Sequence, residues 1–275
     1  LKSFLVFFFI IITSTRNFSQ TKTDWFPSEL NIQPFTANFL EPRAGFQYLF
    51  DMEKVQINIG TSHDIVQFNS DENIFSVGAD FFTYTRARKE ENFKFPVETI
   101  DYLFGINTGF KTSSENSEFG VRLRFSHISA HLADGLYKSD SNQWLNNQGP
   151  FTYSREFFEL LAYYKLSGIR IYAGGEINIH TIPSEIKKTG LQIGFDYYIS
   201  QFSTNSFTPF LAYDFKLRGY DQYYGCNSFS AGLKFGSPES RGFSIFAGYF
   251  SGKSNHGEFY FLSEDFLTIG INLDI

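Results

Sequence analysis

Between Thr189 and Ser200 the chain reads TGLQIGFDYYIS, and the apolar side chains recur at every second position. Leu191, Ile193, Phe195, Tyr197 and Ile199 share one face of an extended strand, and Gln192, Gly194, Asp196, Tyr198 and Ser200 share the other. A period of two is the signature of a strand with two unlike faces, and it excludes an amphipathic helix. The same pattern recurs in FLTIGINLDI at 266–275 and in IRIYAGGEINIH at 169–180. Twelve such segments are readable, near 43–51, 54–68, 73–87, 99–112, 118–132, 151–166, 169–181, 189–202, 207–220, 225–236, 241–252 and 258–275. Most are longer than the five or six residues typical of globular strands. They match the about 9–11 residues that a tilted strand needs to cross a bilayer. The expected fold is all-β, a twelve-stranded antiparallel transmembrane β-barrel, since an even strand number suits a closed barrel of this class.

The connections fall into two sets, as the two ends of such a barrel require. NSDE, SSEN, SG, STNS and SPESRG are short. RKEENFKF, the stretch from Ala133 to Pro150, TIPSEIKK and SGKSNHGEF are longer, as external loops are. The turn around Glu53 is short although it belongs to the second set. Composition agrees with a barrel over a helical membrane protein. The 275 residues include 36 Phe and 16 Tyr, yet mean hydropathy is −0.21, so the apolar residues are spread by alternation and not gathered in blocks. A soluble β-sandwich would alternate too, but its polar face would be rich in Lys and Glu. Here that face carries Gly, Ser, Asn and charges of both signs, as a narrow lumen would.

Lys2 precedes an apolar run from Phe4 to Ile12 and then TSTRNFSQ, the form of a secretory signal over 1–20. A periplasmic segment over 21–42 and the barrel over 43–275 are expected to follow. The expected location is the outer membrane of a Gram-negative bacterium, with both termini periplasmic. Its lipid would be the partner, with barrel-assembly machinery needed during insertion. A net charge of −6 excludes nucleic acid as a partner. A single cysteine, Cys226, excludes an intrachain disulfide and a cysteine-based zinc site.

Several stretches resemble a family of bacterial outer-membrane barrels known as domain of unknown function 1207. They are FPSELNIQPFTANFLEPRAGFQY, HISAHLADG, YKLSGIRIYAGGEINIHTIPSEIKKTGLQIGFDYY and GYFSGKSNHGEFY, in that order along the chain. The resemblance implies an outer-membrane barrel and no reaction. The chain departs from the family pattern at Ala133, where Gly is usual, and at Gly135, where an acid is usual.

One stretch carries residues that could do chemistry. In VRLRFSHISAHL, residues 121–132, Arg122 and Arg124 cannot face lipid, where a midplane charge costs about 2–4 kcal/mol. His127, Ser129 and His131 have the opposite parity and so face outward. Ser154 and Glu156 share the outward face of the next segment with Phe158 and Leu160. A ladder closing near Leu132 and Thr152 would set His127 opposite Glu156 or Phe158, and Ser129 opposite Ser154 or Glu156. This arrangement resembles the outer-membrane phospholipase A family, whose barrel carries a lipid-facing His-x-Ser pair and an Asn on the next strand. The resemblance makes His127 and Ser129 the pair, aligns Phe158 with the Asn, and allows calcium held at Asp134. By ordinary acyl-transfer chemistry Ser129 would attack an ester, His127 would take its proton and Glu156 would orient the imidazole. Against this stands a polar collar at the membrane surface. His127 and His131 lie roughly 13 Å apart at about 3.3 Å per residue, too far to share a metal ion.

Arg122, Arg124, Arg155, Glu159, Arg170, Glu176, Asp196 and Asp214, with Lys216 and Lys234, fall on the lumen face, where opposite charges should pair. His180 falls on that face as well. The expected role is a structural barrel or narrow solute pore without cofactor; a lipid-facing serine acyl hydrolase, with calcium, is the alternative. Oligomeric state is left open.

Overall fold

The computed structural model describes residues 21–145, 149–204 and 206–274. The signal segment expected over 1–20 lies outside the described residues. The strands are β1 Lys22–Trp25, β2 Ala44–Leu49, β3 Lys54–Asn69, β4 Asn73–Arg88, β5 Val97–Ser113, β6 Ser117–Leu132, β7 Tyr137–Lys138, β8 Gln143–Trp144, β9 Tyr153–Leu166, β10 Ile169–Ile182, β11 Thr189–Tyr198, β12 Phe207–Gly219, β13 Tyr223–Phe235, β14 Gly242–Lys253 and β15 Ser263–Asp274. β7 and β8 make a small hairpin inside the loop between β6 and β9. The twelve long strands, β2 to β6 and β9 to β15, pair antiparallel with their neighbours in sequence, and β15 pairs with β2 to close the ring. Closure pairs the backbone N–H and C=O groups around the ring except along the middle of β3 on its β1–β2 side, as a sheet inside hydrocarbon requires for most of its length.

The faces are the reverse of a soluble protein's. Leu191 and Ile193 are 64% and 53% exposed, while Gln192 and Asp196 are 6% and 1% exposed. Polar side chains fill the inside and apolar ones coat the outside, as alternation requires in lipid. One end carries the short turns. Between β9 and β10 the turn is Ser167 (φ 50) and Gly168 (φ 86), the two positive-φ residues that a two-residue hairpin wants. The other end carries the longer loops.

The wall is interrupted at one place. β2 pairs with Lys54–Asn58 of β3, whereas β1 pairs with Val66–Asn69 of the same strand. The residues between them leave the wall and cross the lumen as a strap. The segment 21–42, assigned to the periplasm on sequence, therefore begins in the wall with β1 and continues inside the barrel.

The strap is held along its length. The backbone N–H of Asn31 donates to Asp64 Oδ2 at 2.7 Å, and its side-chain amide donates to Ser76 Oγ at 3.2 Å and Gly109 O at 3.2 Å. Arg170 donates to the carbonyls of Gln33 at 2.8 Å and Pro34 at 2.6 Å. Phe35 is fully buried against Tyr172, ring centroids 4.2 Å apart, with the Arg170 and Arg122 guanidiniums 4.6 and 5.0 Å from its ring. Glu41 receives Arg122 in a two-pronged pair at 2.8 and 2.5 Å, and Arg124 donates to Leu40 O at 3.1 Å.

A second insertion closes the long-loop end. The loop between β14 and β15 folds inward, burying His256, Glu258 and Phe259. Asp101 on β5 pairs with His256 Nδ1 at 2.7 Å and accepts from the Gly257 N–H at 2.7 Å. Gly257 has no alternative, because a Cβ there would lie 2.3 Å from the Tyr153 ring. Below the strap, at the short-turn end, a cavity of about 720 Å³ remains, lined among others by Lys111, Arg170, Asp196, Lys234 and Asp274.

Candidate functional site

β6 and β9 pair in a register that places His127 opposite Glu156 and Ser129 opposite Ser154. This is one of the two registers that the ladder length allows. The arginines between them point inward and the four polar residues point outward. His127 Nδ1 lies 2.6 Å from Glu156 Oε1. An ionised carboxylate only accepts, so Nδ1 of the imidazole is the donor, and in the neutral ring Nε2 is then the unprotonated nitrogen. The Ser154 hydroxyl makes a longer contact to the same oxygen, 3.4 Å. Ser129 lies two residues along from His127 on the same face, and no hydrogen bond joins the two among the described residues.

β10 adds a residue that alternation had turned inward. Its register with β9 shifts between Asn178 and His180, leaving Ile179 as the extra residue of a bulge. A bulge resets the parity of everything beyond it. His180 therefore faces outward, opposite Glu156, and its Nδ1 lies 2.6 Å from Oε2 of that carboxylate. The expectation that His180 lines the lumen is corrected on this ground. Two imidazoles from two strands thus hold one carboxylate from the strand between them. The side chains of His127 and His180 are 40% and 56% exposed.

The cluster sits at the long-loop edge of an apolar belt. One step below it Phe125 and Phe158 oppose each other with ring centroids 5.0 Å apart, and Phe104 flanks His127 from β5. Tyr102 stands opposite Ser129, and its ring meets His131 edge-on at 5.8 Å. Polar and aromatic side chains bordering an apolar belt are the pattern of a membrane interface.

Asp134 opens a short 3₁₀ turn, Asp134–Leu136, and is exposed. Among the described residues no three His, Cys, Asp or Glu side chains converge to hold a metal ion. Asp134 belongs to no such group among the described residues.

Most of the lumen charges meet an opposite charge, through partners that alternation does not identify, whereas among the described residues the buried Lys216 Nζ has no hydrogen-bond partner and Asp214 is held by neutral groups. Glu159 receives Arg124 at 2.7 Å and Arg122 at 3.2 Å; Glu176 receives Arg155 at 2.7 Å; Asp196 receives Arg170 Nε at 2.9 Å. Asp214 accepts from the Tyr172 hydroxyl at 2.8 Å and from Gln192. Lys234 pairs with Asp274. Arg122 takes its main partner, Glu41, from the strap. Glu41 lies outside the alternating segments and carries no signal of its role beyond being an acid in an otherwise apolar run, NFLEP.

The fold is shared with solved barrels. Outer membrane phospholipase A from Escherichia coli superimposes with a TM-score of 0.57 at 12% identity, over 88% of this chain and 93% of that one. An active-site mutant of the same protein gives 0.55 at 13% identity over the same shares. The translocator domain of the autotransporter NalP from Neisseria meningitidis is more distant, at 0.41 and 8% identity over 84% and 87%. No curated protein matches the chain in sequence. The family model for proteins of unknown function DUF1207 matches residues 96–274, and the chain belongs to that family.

Proposed function

We propose that this outer-membrane-type barrel is a lipid-facing serine acyl hydrolase, with its termini in the periplasm and its site at the outer leaflet. The observation that carries the reading is the 2.6 Å contact of His127 Nδ1 with Glu156 Oε1 on the lipid-facing wall, with Ser129 two residues away on the same face. A carboxylate on Nδ1 is what makes Nε2 a general base. Ser129 Oγ attacks the carbonyl of a membrane-lipid ester, and His127 Nε2 takes the hydroxyl proton. The tetrahedral intermediate collapses, and the imidazolium returns its proton to the leaving alkoxide. Water then attacks the acyl-serine by the same route, its proton passing through His127, and releases the fatty acid. Glu156 holds the ring in the required tautomer and offsets the imidazolium charge.

The likeness to a phospholipase supports the substrate class, through fold and through the outward His-x-Ser pair. Glu156 takes the orienting position that the alignment with that family had given to Phe158. The alternative of a narrow solute pore is less favoured, because the strap and the β14–β15 loop both occupy the lumen. The polar-collar reading keeps one observation in its favour, the absence of a Ser129–His127 hydrogen bond.

The test is fatty-acid release from mixed micelles of phospholipid and detergent by the purified, folded barrel. Wild-type release that Ser129→Ala and His127→Ala each abolish, while Ser154→Ala retains it, is the expected result. No release by the wild type, or equal release by Ser129→Ala, leaves a closed structural barrel with a polar collar.

A further inference from the structure

Glu156 is held from both sides. Its Oε1 receives His127 from β6 and its Oε2 receives His180 from β10, each at 2.6 Å. The second contact exists only because of the Ile179 bulge, since unbroken alternation would send His180 into the lumen. A glutamate on the outer face of a strand has three side-chain torsions and little packing to fix them. With Oε2 unengaged, either oxygen could serve His127, and the Ser154 hydroxyl at 3.4 Å could draw Oε1 aside.

We propose that His180 is a positioning residue. Its Nδ1–H anchors Glu156 Oε2, so that Oε1 stays on His127 and the His127 ring stays in the Nδ1–H tautomer with Nε2 free. The effect on rate rests on the acyl-hydrolase reading; the effect on His127 rests on geometry alone. A neutral His180 donates a proton and takes none, so the carboxylate keeps the charge that a protonated His127 needs beside it.

Two readouts on the same proteins separate the two ideas. The first is the nitrogen spectrum of histidine-labelled barrel in detergent micelles at about pH 8, where an ordinary imidazole is neutral. With five histidines in the chain, His127 is assigned by the signal lost in His127→Gln. The wild type should show His127 as the Nδ1–H tautomer. His180→Ala should give a mixture of tautomers. His180→Asn should restore the wild-type signal, because the Asn amide nitrogen occupies the place of Nδ1. The second readout is fatty-acid release. His180→Ala should lower kcat by roughly tenfold to a hundredfold with KM little changed, the range known for outer hydrogen-bond partners of metal-bound histidines and expected for the same orienting role. His180→Asn should recover most of that loss. Heat-modifiable gel migration confirms that each variant is a closed barrel.

An unchanged His127 tautomer in His180→Ala overturns the proposal, whatever the activity. Equal loss of activity in the Ala and Asn variants also overturns it, since a donor at that place would then be irrelevant. A tautomer change in a protein that releases no fatty acid upholds the positioning role and sinks the hydrolase reading instead.

Discussion

Glu41→Gln is the substitution that most directly probes how the lumen is closed. Glu41 is 1% exposed and takes both arms of Arg122 at 2.8 and 2.5 Å, with the Asn38 amide at 2.7 Å. The glutamine keeps the shape, removes the charge and turns an amide N–H₂ toward a guanidinium that can only donate. Losing one partner of a buried ion pair costs about 3–5 kcal/mol. Arg122 retains Glu159 at 3.2 Å, so the lower end, about 3 kcal/mol, applies. That is on the order of a hundredfold in the population of the opened strap, at about 1.4 kcal/mol per tenfold. The effect should be local. Amides over residues 36–43 should exchange hydrogen about a hundredfold faster in detergent-solubilised protein. Amides near Asn31, still held by Asp64 and Gly109, should change far less, and those of β11 not at all. Exchange over 36–43 within about threefold of wild type would refute the reasoning, because the Glu41–Arg122 pair would then not be what holds that part of the strap.

Other outcomes follow from the same geometry. Burial alone would raise the Glu41 carboxyl, but Arg122 and Arg124 outweigh it and hold it at about 2, below the ordinary 4.5. Its contribution is therefore complete above pH 4.5 and lost as pH falls toward 2, so exchange over the strap should accelerate in that window and stay flat there in Glu41→Gln. Glu258 has the opposite sign. Burial pushes it up to about 7, so it favours the folded loop below pH 4.5 and loses that contribution as pH rises to 7. Limited proteolysis of the β14–β15 loop should be faster at pH 8 than at pH 5, and Glu258→Gln should remove the difference. Phe35→Ala should destabilise the strap by about 3 kcal/mol, the usual loss for a buried aromatic, and show as faster exchange over 31–38. Leu123→Arg, on the lipid face beside the inward Arg124, should cost about 2–4 kcal/mol in refolding into bilayers.

Alternation alone was enough for the barrel. It located the twelve strands to within a few residues, because lipid outside and a polar lumen inside constrain each side chain by parity. The same parity placed Arg122 and Arg124 inside and His127, Ser129 and Glu156 outside, and strand length narrowed the β6–β9 register to two choices. Parity fails where a strand gains a residue. The bulge at Ile179 has no mark in the sequence INIHTI, so His180 was assigned to the wrong face. Length and spacing also say nothing about a segment that does not alternate. FTANFLEP reads as a leader to the barrel, yet Phe35 and Glu41 complete its interior, because partners for Tyr172 and Arg122 are supplied from 81 residues away for the ion pair and farther for the rings. Local pattern is set by the solvent on each side of the wall and is written residue by residue. Which groups meet across the lumen, and whether Glu156 serves one histidine or two, depends on strand register and chain path, and these are settled only when the sheet closes.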